Sequence, residues 1–157
     1  MTSASTPTVA KSPPLYLLDV NVLLALLWDT HVAHTKAKAW YLDCASTGWA
    51  TCALTQAGFA RVSSQIGFPS ASKDLNAITQ LLKSCTAQKS HCFLPLDFTL
   101  EVVHQTCTGG LQGHRQITDA YLLTLAIRNQ ARLVTFDGGI RSLLASPTAR
   151  DQHTLVL

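Results

Sequence analysis

Leu15–Trp28, LYLLDVNVLLALLW, is the stretch on which the reading of this chain turns. Leu15-Tyr16-Leu17-Leu18 is a short unbroken apolar run, which suits a strand buried on both faces in the middle of a parallel sheet. From Asn21 onward, Val22, Leu23, Leu24, Leu26, Leu27 and Trp28 continue far enough for a buried helix. Between the two stands Asp19, with no Lys or Arg between Lys11 and Lys36 to neutralise it. A carboxylate in so apolar a setting is costly unless something compensates it. Two explanations fit these residues. Asp19 caps the helix that follows the strand, or it belongs to a group of acids gathered around a metal ion.

The second half of the chain bears on that choice. Thr118-Asp119 opens another strongly apolar helix, Ala120 to Ile127. Arg132-Leu133-Val134-Thr135-Phe136 then reads as a strand, with Asp137 at its carboxyl end and Gly138-Gly139 turning the chain. Two strand-end carboxylates and one at a helix start form the layout by which distant parts of an open α/β sheet meet in one crevice. In this order and spacing, LLDVNVLLAL, TQAGFARV, HRQITDAYLLTLA and RLVTFDGGI resemble the PIN domain, and more closely the VapC family of ribonuclease toxins from bacterial toxin–antitoxin pairs. The resemblance covers nearly the whole chain after Pro14. It divides the sequence into a flexible leader over residues 1–14 and one PIN domain over 15–157. The implied fold is of the α/β class, a three-layer α/β/α sandwich around a central, mainly parallel sheet. The alternation of strands and helices agrees with it.

The resemblance further implies a metal-dependent endoribonuclease. Phosphodiester cleavage needs an activated water and neutralised phosphate charge, and oxygen-rich sites select Mg²⁺ or Mn²⁺. Asp19, Asp119 and Asp137 are the expected catalytic residues and metal ligands, with the helix start at Asp119 adding a favourable dipole end. Asn21 and Thr118 are expected to orient those acids. Most PIN-domain nucleases carry Glu at the position of Gln56. Gln keeps an oxygen for the cation or its water but removes one negative charge; the alternative is that Gln56 simply faces solvent. Arg61, on the same helix, either contacts an RNA phosphate or pairs with an acid and locks the helix. His114 and Arg115 are further candidates for the RNA backbone. A basic residue often follows the last Asp in this family; Gly138 stands there, which passes that part to Arg141.

In this family the substrate is usually structured cellular RNA, such as transfer or ribosomal RNA, and a cognate VapB-like antitoxin holds the enzyme inactive. The helical pair after Gly48-Trp49-Ala50-Thr51 resembles the clip that packs against a second copy. Two other readings remain. Gln56 suggests a PIN-like RNA-binding module weakened in catalysis. A receiver-type phosphotransfer domain also has strand-end Asp residues, but it calls for an acid pair near the N-terminus and a Lys ending the last strand, and this chain has neither.

Composition agrees with a single enzyme-sized domain. The chain has 157 residues, 47% hydrophobic and 13% charged, enough to bury a core and to leave apolar surface for a homodimer contact. A net charge of +3 is compatible with nucleic acid without requiring it. Cys44, Cys52, Cys85, Cys92 and Cys107 lack C-x-x-C or zinc-finger spacing and read as reduced thiols of a cytoplasmic protein. No uninterrupted apolar segment is long enough to span a bilayer, and the N-terminus lacks the order of a secretory signal.

The remaining pattern predicts helices over His31–Leu42, Cys52–Ile66, Ser72–Thr86 and Thr99–Cys107, and a short one over Ile140–Leu144. Gly67-Phe68-Pro69-Ser70 ends the second of these, Ser70 or Ser72 caps the third, and Asp97 and Glu101 read as cap and surface. Strands are expected at 48–51, 91–95 and 154–157, and a glycine-rich loop at 108–113. His31 and His34 would share one helical face as surface or capping residues.

Overall fold

The computed structural model describes residues 14–65 and 74–157. β1 (Leu15–Leu18) is the middle strand of a five-stranded sheet. On one side of it lie β2 (Trp49–Thr51) and the edge strand β3 (His91–Phe93); on the other lie β4 (Ala131–Thr135) and the edge strand β5 (Thr154–Val156). The order is β3-β2-β1-β4-β5 and every pairing is parallel. This is not the 2-1-3-4-5 order of a flavodoxin-like receiver.

The strand alternation sorts the core into two halves. Leu17, Ala50 and Leu133 point to one face, where Val103, Ala120, Leu122, Leu123, Leu125 and Ala126 cover them. Tyr16, Leu18, Trp49 and Val134 point to the other and meet Val22, Leu23, Leu24, Phe59 and Ile78. The first set comes from α5 (Leu100–Thr106) and α6 (Ile117–Arg128), the second from α1 (Val20–Leu27), α3 (Ala53–Ser63) and α4 (Leu75–Thr86). Helices on both faces of a parallel sheet are the expected three layers. The apolar run at Leu15 is apolar because β1 is covered on both sides: Leu17 and Leu18 are fully buried.

Several boundaries differ from the sequence reading. α2 (His34–Cys44) begins three residues later than expected. His31 lies in the turn before it, where its Nδ1 accepts from the Ala33 N–H at 3.1 Å, while His34 Nδ1 meets the Ala25 carbonyl at 2.9 Å. The two histidines therefore fasten the α1–α2 turn and do not form one helical face. Asp74, expected in the first turn of α4, is itself the cap: it accepts from the Asn76 N–H at 2.9 Å. Ser70, Ser72 and the expected stop at 67–70 lie outside the described residues, as does the leader up to residue 13. Asp97 caps nothing; Thr99 holds the cap position of α5. A helix absent from the reading is α7 (Pro147–His153), started by Ser146 as cap and Pro147 in its first turn. Ser-Pro is a recognisable start signal, but α7 carries no fully buried residue and so lacks an apolar stripe. Residues 138–143 form a 3-10 helix, in place of the short α-helix expected over 140–144.

Candidate functional site

Asp19 ends β1 and begins α1, and its carboxylate is used at both oxygens. Oδ1 accepts from the Val20 N–H at 2.6 Å, and Oδ2 accepts from the Thr135 hydroxyl at 2.7 Å. Only 7% of the residue is exposed. The cap reading of Asp19 is thus correct as far as it goes, but a cap alone does not require burial or a second donor from β4.

Asp137 sits at the matching end of β4, next to β1 in the sheet. Its Oδ1 accepts from the Gly139 N–H at 2.8 Å, and its own N–H donates to Thr135 Oγ1 at 3.0 Å. Asp119 is the third residue of α6, half-buried, in the amino-terminal turn where the helix dipole favours a negative charge. Burial pushes the Asp119 carboxyl up to about 6, helped by the charges of Asp19 and Asp137. Burial also raises Asp19; hydrogen bonds from Thr135, Val20 and Asn21 pull it down, and Asp137 pushes it up. The three acids therefore feel one another. Among the described residues the one ion pair is Arg141–Asp151, so none of their cations is paired with the three acids.

Asn21 braces the end of β4 beside Asp19. Its Nδ2 donates to Thr135 Oγ1 at 3.2 Å and its Oδ1 accepts from the Phe136 N–H at 3.2 Å. Thr118 is exposed and does not take the matching part. That part belongs to Thr135, which the sequence reading missed. Its buried hydroxyl donates to Asp19 and accepts from Asn21 and from the Asp137 N–H. A hydroxyl has one proton and two lone pairs, so the group is saturated. The signal was available: a Thr closing an apolar strand, two residues before an acid and hence on the same side, needs a buried partner.

Gln56 is half-buried on α3, and its Nε2 donates to Thr51 Oγ1 at 2.9 Å. No hydrogen bond joins it to the three acids. Its helix nevertheless packs on the first turn after Asp19. A Cβ on Gly58 would stand 2.5 Å from Val20 Cγ2, so only glycine permits this approach.

Arg61 is exposed and, among the described residues, unpaired, so it does not lock α3 to an acid. His114 and Arg115 are exposed in the 3-10 turn that leads into α6, one to two turns ahead of Asp119. Arg141 is committed elsewhere: it pairs with Asp151 and donates to Thr154 Oγ1 at 3.2 Å. It joins the Asp137 turn to α7 and β5 and is not free to stand in for the basic residue that Gly138 replaces.

The donor set suits a hard divalent cation, since all the candidate ligands are oxygens. Among the described residues no three acid, imidazole or thiol groups close tightly enough to cage an ion.

A model of the PIN domain matches residues 16–143. Ribonuclease VapC44 of Mycobacterium tuberculosis is 44% identical over 141 residues, covering 90% of this chain and 98% of its own. Ribonuclease VapC38 of the same organism is 42% identical over 127 residues, covering 81% and 88%. Two solved structures share the fold. FitAcB from Neisseria gonorrhoeae aligns with a TM-score of 0.61 at 19% identity, over 89% of this chain and 96% of that one. VapBC2 from Rickettsia felis, bound to a DNA fragment from its promoter, aligns with a TM-score of 0.58 at 13% identity, over 90% and 98%.

Proposed function

The chain belongs to the PIN domain family and, within it, to the VapC ribonucleases; from that premise we propose that it is an endoribonuclease toxin using Mg²⁺ or Mn²⁺ and silenced by a VapB-like antitoxin. The observation that carries this reading is the group of three carboxylates that raise one another's cost of ionisation and, among the described residues, have no ion-pair partner.

Asp19, Asp119 and Asp137 would hold the ion, and Gln56 would offer its carbonyl oxygen to it or to its water. Once bound, the ion neutralises phosphate charge and lowers the pKa of a bound water. Thr135 and Asn21 keep the Asp19 carboxylate aimed, and Gly139 keeps Asp137 aimed. Asp119, whose carboxyl is raised to about 6 by burial and by its two acid neighbours, would gain most from a cation held beside it. Arg61, His114 and Arg115 remain free to hold the RNA backbone, which is transfer or ribosomal RNA. The catalytic domain spans 15–157 and acts in the cytoplasm; among the described residues no helix is long and apolar enough to cross a membrane. Exposed Leu42, Leu75, Phe93 and Leu100 give the chain apolar surface to bury in a homodimer and against the antitoxin.

The test is cleavage of total cellular RNA by purified protein with Mn²⁺, with chelator, and with Asp119→Asn. Cleavage only by the parent with metal supports the reading. RNA binding without cleavage under any metal supports instead a binding module weakened at Gln56, where the common Glu is absent.

A further inference from the structure

Gln56 belongs to a hydrogen-bonded row that runs away from the acids toward the sheet edge. Its Nε2 lies 2.9 Å from Thr51 Oγ1, and the same oxygen lies 2.9 Å from His91 Nε2. Thr51 is fully buried at the carboxyl end of β2, and His91 begins β3, its ring packed edge-on against Trp49 at 4.6 Å. With Nε2 facing Thr51, the other ring nitrogen is left to the Thr86 carbonyl, whose pull favours a proton there, while burial holds the ring neutral.

One assignment of the protons satisfies every contact in the row. A neutral imidazole carries one N–H, and the Thr86 carbonyl takes it at Nδ1. Nε2 is then an acceptor, so the Thr51 hydroxyl donates to it. Thr51 is left with lone pairs only, and these accept a donor. At position 56 that donor is the amide nitrogen, and the carbonyl oxygen is turned away from Thr51. Among the described residues that oxygen has no protein hydrogen-bond partner.

We propose that His91 and Thr51 are positioning residues that hold Gln56 with its nitrogen inward and its oxygen outward, and that together they select an amide over a carboxylate at this position. A carboxylate has no proton to offer Thr51. It is accommodated only if Thr51 turns its own proton toward residue 56 and His91 presents an N–H at Nε2, either by moving its proton away from the Thr86 side or by taking a second proton, which makes the ring cationic. The role of the outward oxygen toward the cation rests on the function proposed above; the orientation itself does not.

The experiment uses the full chain without metal and reads the His91 ring by long-range ¹H–¹⁵N NMR in the parent, Gln56→Glu and Gln56→Leu. Calorimetric Mn²⁺ titrations of the same proteins, Thr51→Val and Thr51→Ser follow. The expected result is a neutral His91 protonated at Nδ1 in the parent and, in Gln56→Glu, either a ring protonated at Nε2 or a pKa about one unit or more higher. Thr51→Val should weaken Mn²⁺ binding about 10-fold, and Thr51→Ser, which restores the hydroxyl, should recover it. A parent ring protonated at Nε2, or a His91 ring with the same pKa and the same tautomer in the parent and Gln56→Glu, overturns the proposal. Unchanged Mn²⁺ affinity in both Thr51→Val and Gln56→Leu overturns the cation role of Gln56, while the ring data still decide its orientation.

Discussion

The Thr135 hydroxyl donates to Asp19 Oδ2 at 2.7 Å, joining residues 116 positions apart in the chain. Both lie at the carboxyl ends of adjacent parallel strands, so the hydrogen bond ties the first acid of the site to the strand that delivers the last.

Thr135→Val keeps the shape and removes that donor. A buried carboxylate oxygen left without its partner costs about 1–3 kcal/mol, and loss of a ligand-orienting group typically costs 10–100-fold in metal affinity or activity. Cleavage should therefore fall by about that factor. Thr135→Ser should retain most of it. Equal activity in the valine variant and the parent would remove Thr135 from the site.

Asp119→Asn should abolish cleavage while the fold remains, because Asp119 contributes charge and not packing. It also removes one of three mutually repelling acids, so the metal-free variant should melt at or above the parent's temperature. A lower melting temperature together with retained cleavage would contradict both roles.

The site should make metal-free stability depend on pH in an unusual direction. The Asp119 carboxyl is pushed up to about 6 from the ordinary 3.8, and Asp19 is raised as well. Between those values the folded chain binds more protons than the unfolded one. Stability is then greatest at the acid end of this window and declines as pH rises through about 6. Bound cation displaces the proton. Stabilisation by Mn²⁺ should accordingly be large at pH 7.5 and small at pH 5. Subtracting the melting curve of Asp119→Asn isolates this carboxyl from the histidines. A parent-minus-variant difference that is flat from pH 5 to 7.5 would show that the acids are not coupled.

Gly58→Ala should be destabilising out of proportion to one methyl group. The new Cβ would stand 2.5 Å from Val20 Cγ2, on the residue directly after Asp19. Overpacking of this kind costs about 1–3 kcal/mol, and here it also shifts α3 from the turn that carries Asp19. Val20→Ala should rescue part of the loss in the double variant, measured by denaturant midpoint and by cleavage rate.

The fold was legible in the sequence because its decisive signals are local. Leu15–Leu18 and Leu133-Val134 are apolar on both faces, Asp19 and Asp137 mark the strand ends, and Asp119 marks a helix start. The three acids stand out at these marks, and the resemblance to the VapC family gave them and Asn21 their expected roles. What stayed hidden depends on pairing between distant strands. Nothing within RLVTFDGGI says that Thr135 faces Asp19, since that follows only from the β1–β4 register. Thr118 looked equally suitable by sequence distance, yet a residue at the exposed start of α6 points outward. Arg141 was misread for the same reason. Its partner Asp151 lies on α7, which has no apolar stripe to announce it.

The 116-residue span between Asp19 and Thr135 also bears on how such an enzyme is made. A polypeptide emerging from its ribosome acquires Asp19 early, but β1 then has neither its β4 neighbour nor the hydroxyl that aims the carboxylate. Asp119 and Asp137 have not yet been synthesised beside it. The central strand waits for the distal third of its own chain, as high-contact-order topologies generally must. A domain built this way cannot bring its three acids together until Asp119, Thr135 and Asp137 have all been synthesised.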